Sequence, residues 1–165
     1  MVAGSLGSFP AGERVFADSN ILTYHLLGDP VHGGSCRAFI ARVEEGEVEG
    51  WVSPIVVSET VFNFIKASVV KRYRVRAGDV LALLKSQPEI LSSIELEPVV
   101  DLLEIFSLMP VGKREVEESY RLIGRYQLLT NDALHAACCK TNGIENIATN
   151  DSDFERVENL KVWKP

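Results

Sequence analysis

Val15-Phe16-Ala17-Asp18-Ser19-Asn20 runs from three apolar residues into a carboxylate and on into a helix-like segment, 20–27, closed by Gly28-Asp29-Pro30. A short apolar run without polar alternation is the pattern of a strand buried on both faces of a parallel sheet. Here its carboxyl end carries an acid, and Asp18 or Ser19 can cap the helix that follows. The arrangement returns at Ile147-Ala148-Thr149, which leads into Asp151 and Asp153. Further short apolar runs lie at 48–53, 108–111 and 160–163. Helical patterns fill the intervals 34–45, 54–70, 77–86, 98–106, 113–126 and 130–140. Ser53 and Pro54 suit the cap and first turn of the second of these, and Thr130 or Asn131 the cap of the last. The segment 90–97 reads as a strand or an extended linker. Strands alternating with helices from end to end predict an α/β domain with a parallel sheet. No repeat or linker divides the chain, so one domain is expected over residues 13–165, behind a flexible Gly/Ser-rich leader at residues 1–12.

With 165 residues, 46% hydrophobic and 24% charged, the chain is long enough for a substantial core and ordinary for a globular protein. No apolar run approaches the ~18 residues of a membrane span, and the start lacks the basic and apolar regions of a signal peptide. Cys36, Cys138 and Cys139 show no CxxC spacing, which points to reduced thiols in a cytoplasmic protein and away from zinc. The net charge of −6 is opposite to the basic face of a typical nucleic-acid binder. Against that, Lys71-Arg72-Tyr73-Arg74-Val75-Arg76 concentrates four of the seventeen basic residues. Arg72 and Arg74 are therefore candidate phosphate contacts, with a solvated helix end as the plain alternative.

The acids are placed unusually. Glu59 is the only charge between Trp51 and Ile65, and Asp132 the only one between Leu128 and Cys139. An ionised carboxylate in an apolar setting is costly unless it is paired or holds a cation. Each acid has a local alternative: Asp18 as a helix cap, Asp132 as a partner of a helix dipole, Asp151 and Asp153 as turn caps. Glu59, mid-helix, has none. Ligand sites in open parallel sheets form beyond the carboxyl ends of strands, where Asp18 and Asp151 would lie. A shared hard divalent cation, which prefers oxygen ligands, accounts for all of these positions together. His135 shares a helical face with Asp132 and could approach the site, though a packed or orienting histidine is the simpler reading. There is no phosphate-binding Gly-rich loop and no Ser-His-Asp or Cys-His arrangement.

The order Asp18-Ser19-Asn20, Ser53-Pro54-Ile55-Val56-Val57-Ser58-Glu59, Asn131-Asp132-Ala133-Leu134-His135-Ala136-Ala137 and Thr149-Asn150-Asp151-Ser152-Asp153-Phe154 resembles the PIN-domain nucleases, closest to the VapC-like toxins of prokaryotic toxin–antitoxin systems. The resemblance spans residues 15–163. It implies a three-layer α/β/α sandwich around a mainly parallel sheet, with an acidic pocket holding Mg2+ or Mn2+. By motif, Asp18, Glu59, Asp132 and Asp151 would be the catalytic, metal-holding acids, Asp153 an accessory ligand, and Asn20 and Thr149 groups that orient them. The implied activity is hydrolysis of RNA phosphodiester bonds, with an antitoxin as possible partner. Apolar helix residues (Ile21, Leu22, Tyr24, Leu26 and Leu27; Val61, Phe62, Phe64 and Ile65) and the same resemblance suggest a homodimer. The alternatives are a non-catalytic or complex-dependent PIN-like RNA-binding module, and a phosphotransfer or phosphatase α/β domain, which would need a lysine beside its acids.

Overall fold

The computed structural model describes residues 3–165. Six strands, β1 (Gly4–Ser5), β2 (Arg14–Ala17), β3 (Glu49–Val52), β4 (Ser107–Leu108), β5 (Asn146–Ala148) and β6 (Lys161–Lys164), form one sheet in the order β1-β6-β5-β2-β3-β4. Every pairing is parallel, with Phe16 opposite both Trp51 and Ile147. The helices are α1 (Ser19–Leu27), α2 (Gly33–Glu44), α3 (Pro54–Tyr73), α4 (Val80–Ser86), α5 (Glu97–Glu104), α6 (Lys113–Tyr126) and α7 (Thr130–Thr141). Packing of α1 on α2 and α3, and of α6 on α7, builds the outer layers of the expected α/β/α sandwich.

The central strands behave as their composition requires. Val15, Phe16, Ala17, Ile147 and Ala148 are wholly buried, and each large apolar side chain so placed contributes about 1.5–3 kcal/mol. Ser53 Oγ accepts the Val56 N–H at 3.3 Å and Pro54 opens α3, as its sequence predicts. Gly28, at φ 63°, ends α1 in the left-handed conformation that glycine adopts without steric cost. Beneath the far half of α3, Val69, Val80 and Ile90 form a small separate core.

Three expectations need correction. The leader expected to be flexible is built into the fold from the first described residues onward. Gly4 and Ser5 pair with Trp163 and Lys164 on β6, while Leu6 and Phe9 are buried. The Phe9 ring meets Trp163 edge-on at 4.9 Å. A Cβ on Gly4 would come within 2.5 Å of the Trp163 ring, so the glycine is what lets the strand close on β6. Met1 and Val2 lie outside the described residues. The segment 90–97 is no strand: Pro88–Ser93 is a 3-10 turn pinned by Ile90 and by the Ser93 hydroxyl on the Ile90 carbonyl at 2.7 Å. Helix α7 has Leu129, not Thr130 or Asn131, at its cap position, and the Asn131 amide, inside the first turn, donates to Glu59.

Among the described residues no helix is long and apolar enough to cross a membrane. All three cysteines are free and buried, and burial pushes the thiols of Cys36 and Cys138 up to about 12. Ile21 and Leu22 fill the protein's own core and offer nothing to a partner, whereas Leu27 and Phe62 stay exposed.

Candidate metal centre

From the adjacent strands β2 and β5 the chain is wound outward in opposite directions, to β3 and β4 on one side and to β6 on the other, with the N-terminal β1 beyond β6. A parallel sheet leaves a crevice at such a reversal, outside the carboxyl ends of the two strands. Asp18 follows β2 directly and Thr149 follows β5 directly, so both stand at its mouth.

Asp18 serves as both cap and site residue. Its Oδ1 accepts the Ser19 N–H at 2.6 Å, starting α1. Its Oδ2 accepts from the Thr149 hydroxyl at 2.6 Å and the Asn20 amide at 2.6 Å. Thr149 Oγ1 in turn accepts from Asn20 at 3.0 Å and from the Asp151 N–H at 3.0 Å, and Asn20 Oδ1 accepts the Asn150 N–H at 3.2 Å. Asn20 and Thr149 thus tie the ends of β2 and β5 together and fix where Asp151 begins. One helical turn beyond Asn20, the Tyr24 hydroxyl takes the Asn150 side-chain N–H at 3.2 Å, and the Tyr24 ring lies on His32 at 4.9 Å. Burial raises the Asp18 carboxyl above the ordinary carboxylate range, against the opposing pull of His135 and these hydrogen bonds.

The other acids converge from helices. Glu59 sits in the second turn of α3; its Oε1 accepts the Asn131 amide at 2.6 Å, and its Oε2 lies 3.5 Å from His135 Nε2. His135, and secondarily Asn131, hold it below its usual range. Asp132, in the first turn of α7, is pushed up to about 6 by partial burial and then by the charges of Asp151, Asp18 and Asp153. Asp151 caps the 3-10 turn Ser152–Arg156 by accepting the Asp153 N–H at 2.8 Å. Asp153 Oδ2 is paired with Arg156 at 3.0 Å.

Two clusters result. Donor atoms of Asp18, Glu59 and His135 lie within 4.8 Å of one another, and so do those of Asp132, Asp151 and Asp153. Among the described residues no Lys or Arg pairs with Asp18, Glu59, Asp132 or Asp151. A crowded, oxygen-rich set without thiolates and short of positive charge suits a hard divalent cation.

The structure therefore brings together the five acids, Asn20 and Thr149, and it does not bring in Arg72 or Arg74. Those lie at the opposite end of α3 from Glu59, about 20 Å away along the helix. Arg72 Nη1 donates to the Ser93 carbonyl and hydroxyl, both at 3.1 Å, and Arg74 is the left-handed residue that ends the helix. Sequence reasoning gives Asn131, Tyr24, His32 and Asn150 no place in the site: it makes Asn131 a helix cap and Tyr24 part of an apolar dimer face. The available signals were the adjacency of Asn131 to Asp132 and the one-turn spacing of Asn20 and Tyr24.

Residues 15–160 match the PIN domain family. Ribonuclease VapC2 of Methanocaldococcus jannaschii is 38% identical over 149 residues, which cover 90% of this chain and 92% of that protein. Ribonuclease VapC6 of the same organism is 26% identical over 163 residues, 92% and 97% of the two chains. Among solved structures, VapBC2 from Rickettsia felis, bound to a DNA fragment from its promoter, aligns with a TM-score of 0.57 at 16% identity, over 92% of this chain and 98% of that one. FitAcB from Neisseria gonorrhoeae aligns with a TM-score of 0.55 at 16% identity, over 90% and 96%. At such identities the structural likenesses speak for the fold.

Proposed function

The chain belongs to the PIN domain family, and on that premise we propose that it is a metal-dependent endoribonuclease, the toxin of a toxin–antitoxin pair. The observation that carries the reading is the meeting of Asp18, Glu59, Asp132, Asp151 and Asp153 at the sheet's switch point, where among the described residues Arg156, on Asp153, is the only Lys or Arg paired with any of them. One or two Mg2+ or Mn2+ ions held there would supply an acidified water and stabilise charge on the scissile phosphate.

The chain's own residues do the positioning. Asn20 and Thr149 hold Asp18 with one carboxylate edge fixed, and the Thr149 hydroxyl sets the backbone of Asp151. Asn131 fixes one oxygen of Glu59 and leaves the other facing His135. The half-buried Asp132 and Asp151 line the open side, where a flexible strand can enter, so single-stranded or loop RNA is the expected substrate. Hydrolysis would leave a 5′-phosphate and a 3′-hydroxyl, the outcome that family resemblance implies. Among the described residues no lysine bonds to any of these acids, which speaks against a phosphotransfer domain.

An antitoxin partner is supported by relatives that are components of VapBC complexes. A homodimer is supported by the exposed Leu27 and Phe62 on neighbouring helices α1 and α3. Buried free thiols accord with a cytoplasmic setting.

The test is incubation of the pure protein with RNA and Mn2+, with and without chelator. Cleavage that chelator and Asp18→Asn both abolish is the expected result. Tight RNA binding without cleavage would favour a binding module instead.

A further inference from the structure

We propose that His135 is a nitrogen ligand of the inner metal subsite, beside Asp18 and Glu59, and that it gives the centre a preference for divalent transition metals over Mg2+. The proposal rests on the carboxylate centre described above and adds a residue outside its acids.

His135 lies on α7 three residues after Asp132 and is 1% exposed. Of its two ring nitrogens it is Nε2 that faces the carboxylates, while Nδ1, on another edge of the ring, is buried without a hydrogen-bond partner. Its Nε2 lies 3.5 Å from Glu59 Oε2, longer than a good N–H···O hydrogen bond. That separation suits two donors on one ion: ligands about 2.1 Å from a cation stand about 3.0 Å apart at a right angle and about 3.4 Å apart at a tetrahedral angle.

The surroundings select the same atoms. Glu59 Oε1 is engaged by Asn131 at 2.6 Å, so Oε2, the oxygen facing His135, is the one left for a cation. A nitrogen of His135 and oxygens of Asp18 and Glu59 lie within 4.8 Å of one another. The Phe16 ring lies 5.4 Å from the imidazole, centroid to centroid, and helps hold it toward the carboxylates.

The second cluster, Asp132, Asp151 and Asp153, offers oxygen alone. The two subsites therefore differ in chemistry. Mg2+ demands oxygen and gives up water reluctantly, while first-row transition metals accept imidazole. Mn2+ is the probe of choice because it is paramagnetic.

The metal-free protein is titrated with Mn2+ while electron paramagnetic resonance follows the free ion, and pulsed spectra of the bound ion are searched for nitrogen hyperfine coupling. Coupling is expected in the parent chain, retained in His25→Gln and His32→Gln, and lost in His135→Gln. Mn2+ affinity should fall about tenfold in His135→Gln, with Mg2+ affinity, measured by competition, changing less. The parent spectrum requires no variant, so it decides the matter even where His135→Gln folds poorly. Bound Mn2+ without nitrogen coupling would overturn the role of His135 and leave the carboxylate centre standing. No Mn2+ binding by the parent would overturn both. Equal losses for Mn2+ and Mg2+ would mark His135 as a packing residue and overturn the preference.

Discussion

Helix α6 and the carboxyl edge of the sheet both gather acids, and the fold treats the two groups in opposite ways. On α6, Glu115 accepts the Gly112 N–H at 2.8 Å and the Thr141 hydroxyl at 2.8 Å, and Glu118 is paired with Lys140 at 2.6 Å and Arg121 at 2.8 Å. Both carboxyls lie below their ordinary range, Glu115 chiefly through the Gly112 N–H and Glu118 chiefly through Lys140. At the sheet edge, Asp18 and Asp132 lie above theirs, because burial and neighbouring acids work against ionisation, and Glu59, held down by His135, is the exception. The first group supports the fold. Ionising Asp18 and Asp132 costs stability, as expected of acids gathered for the proposed metal centre.

Removing an acid from each region is the sharpest way to break this contrast, and activity shows the largest effect. Asp18→Asn keeps a cap-forming side chain but should bring metal-dependent RNA cleavage down to background. Cleavage at the parent rate would mean that the sheet edge is not the site. Asp151→Asn should cost roughly tenfold more activity than Asp153→Asn, since Arg156 already neutralises Asp153. A reversed ranking would move the fourth ligand to Asp153.

Stability without metal should show the contrast in sign. The folded-state value of Asp132, about 6, lies above its ordinary 3.8, so the folded protein holds that proton more tightly. Its contribution is therefore fully present below about 3.8 and is lost as pH rises through about 6. At pH near 7.5 Asp132→Asn should stabilise the metal-free protein by about 1–1.5 kcal/mol, roughly half the full linkage value because the group is partly exposed. Glu118 runs the other way. Its depressed value lends stability above the ordinary 4.5 that is lost on acidification. Glu118→Gln should cost about 0.5–1 kcal/mol near neutral pH. Thermal melts of both variants across pH, with chelator present, read both signs, and matching signs would dissolve the contrast.

The smallest effect is expected from Arg72→Ala/Arg74→Ala. With Arg72 held by Ser93 and the pair remote from the acids, the salt dependence of RNA binding should flatten by at most about one or two contacts. Cleavage of a short RNA at saturation should be unchanged. A large loss there would place substrate along the whole of α3.

Much of this was legible in the chain. Val15-Phe16-Ala17 and Ile147-Ala148 announce buried parallel strands because a strand covered on both faces has no reason to alternate. Ser53-Pro54 announces the start of α3 because capping and the fixed φ of proline are local effects. The acids were legible because an isolated carboxylate in an apolar run is improbable without a purpose.

What remained hidden was set by partners distant in sequence. Nothing near Gly4 reveals that β6 awaits it 159 residues later. Nothing near Asn131 reveals that its amide donates to Glu59, 72 positions earlier. Arg72 and His135 each carry a plausible local reading, and tertiary packing alone sends the first to Ser93 and the second into the carboxylates. Periodicity, caps and isolated charges are properties of neighbouring residues, so the sequence by itself determined most of the element types, the parallel sheet and the acids of the candidate site. The closing of the sheet's edge, the separation of the basic cluster and the turning of one imidazole toward Glu59 depend on which surfaces meet, and only the tertiary structure decided those.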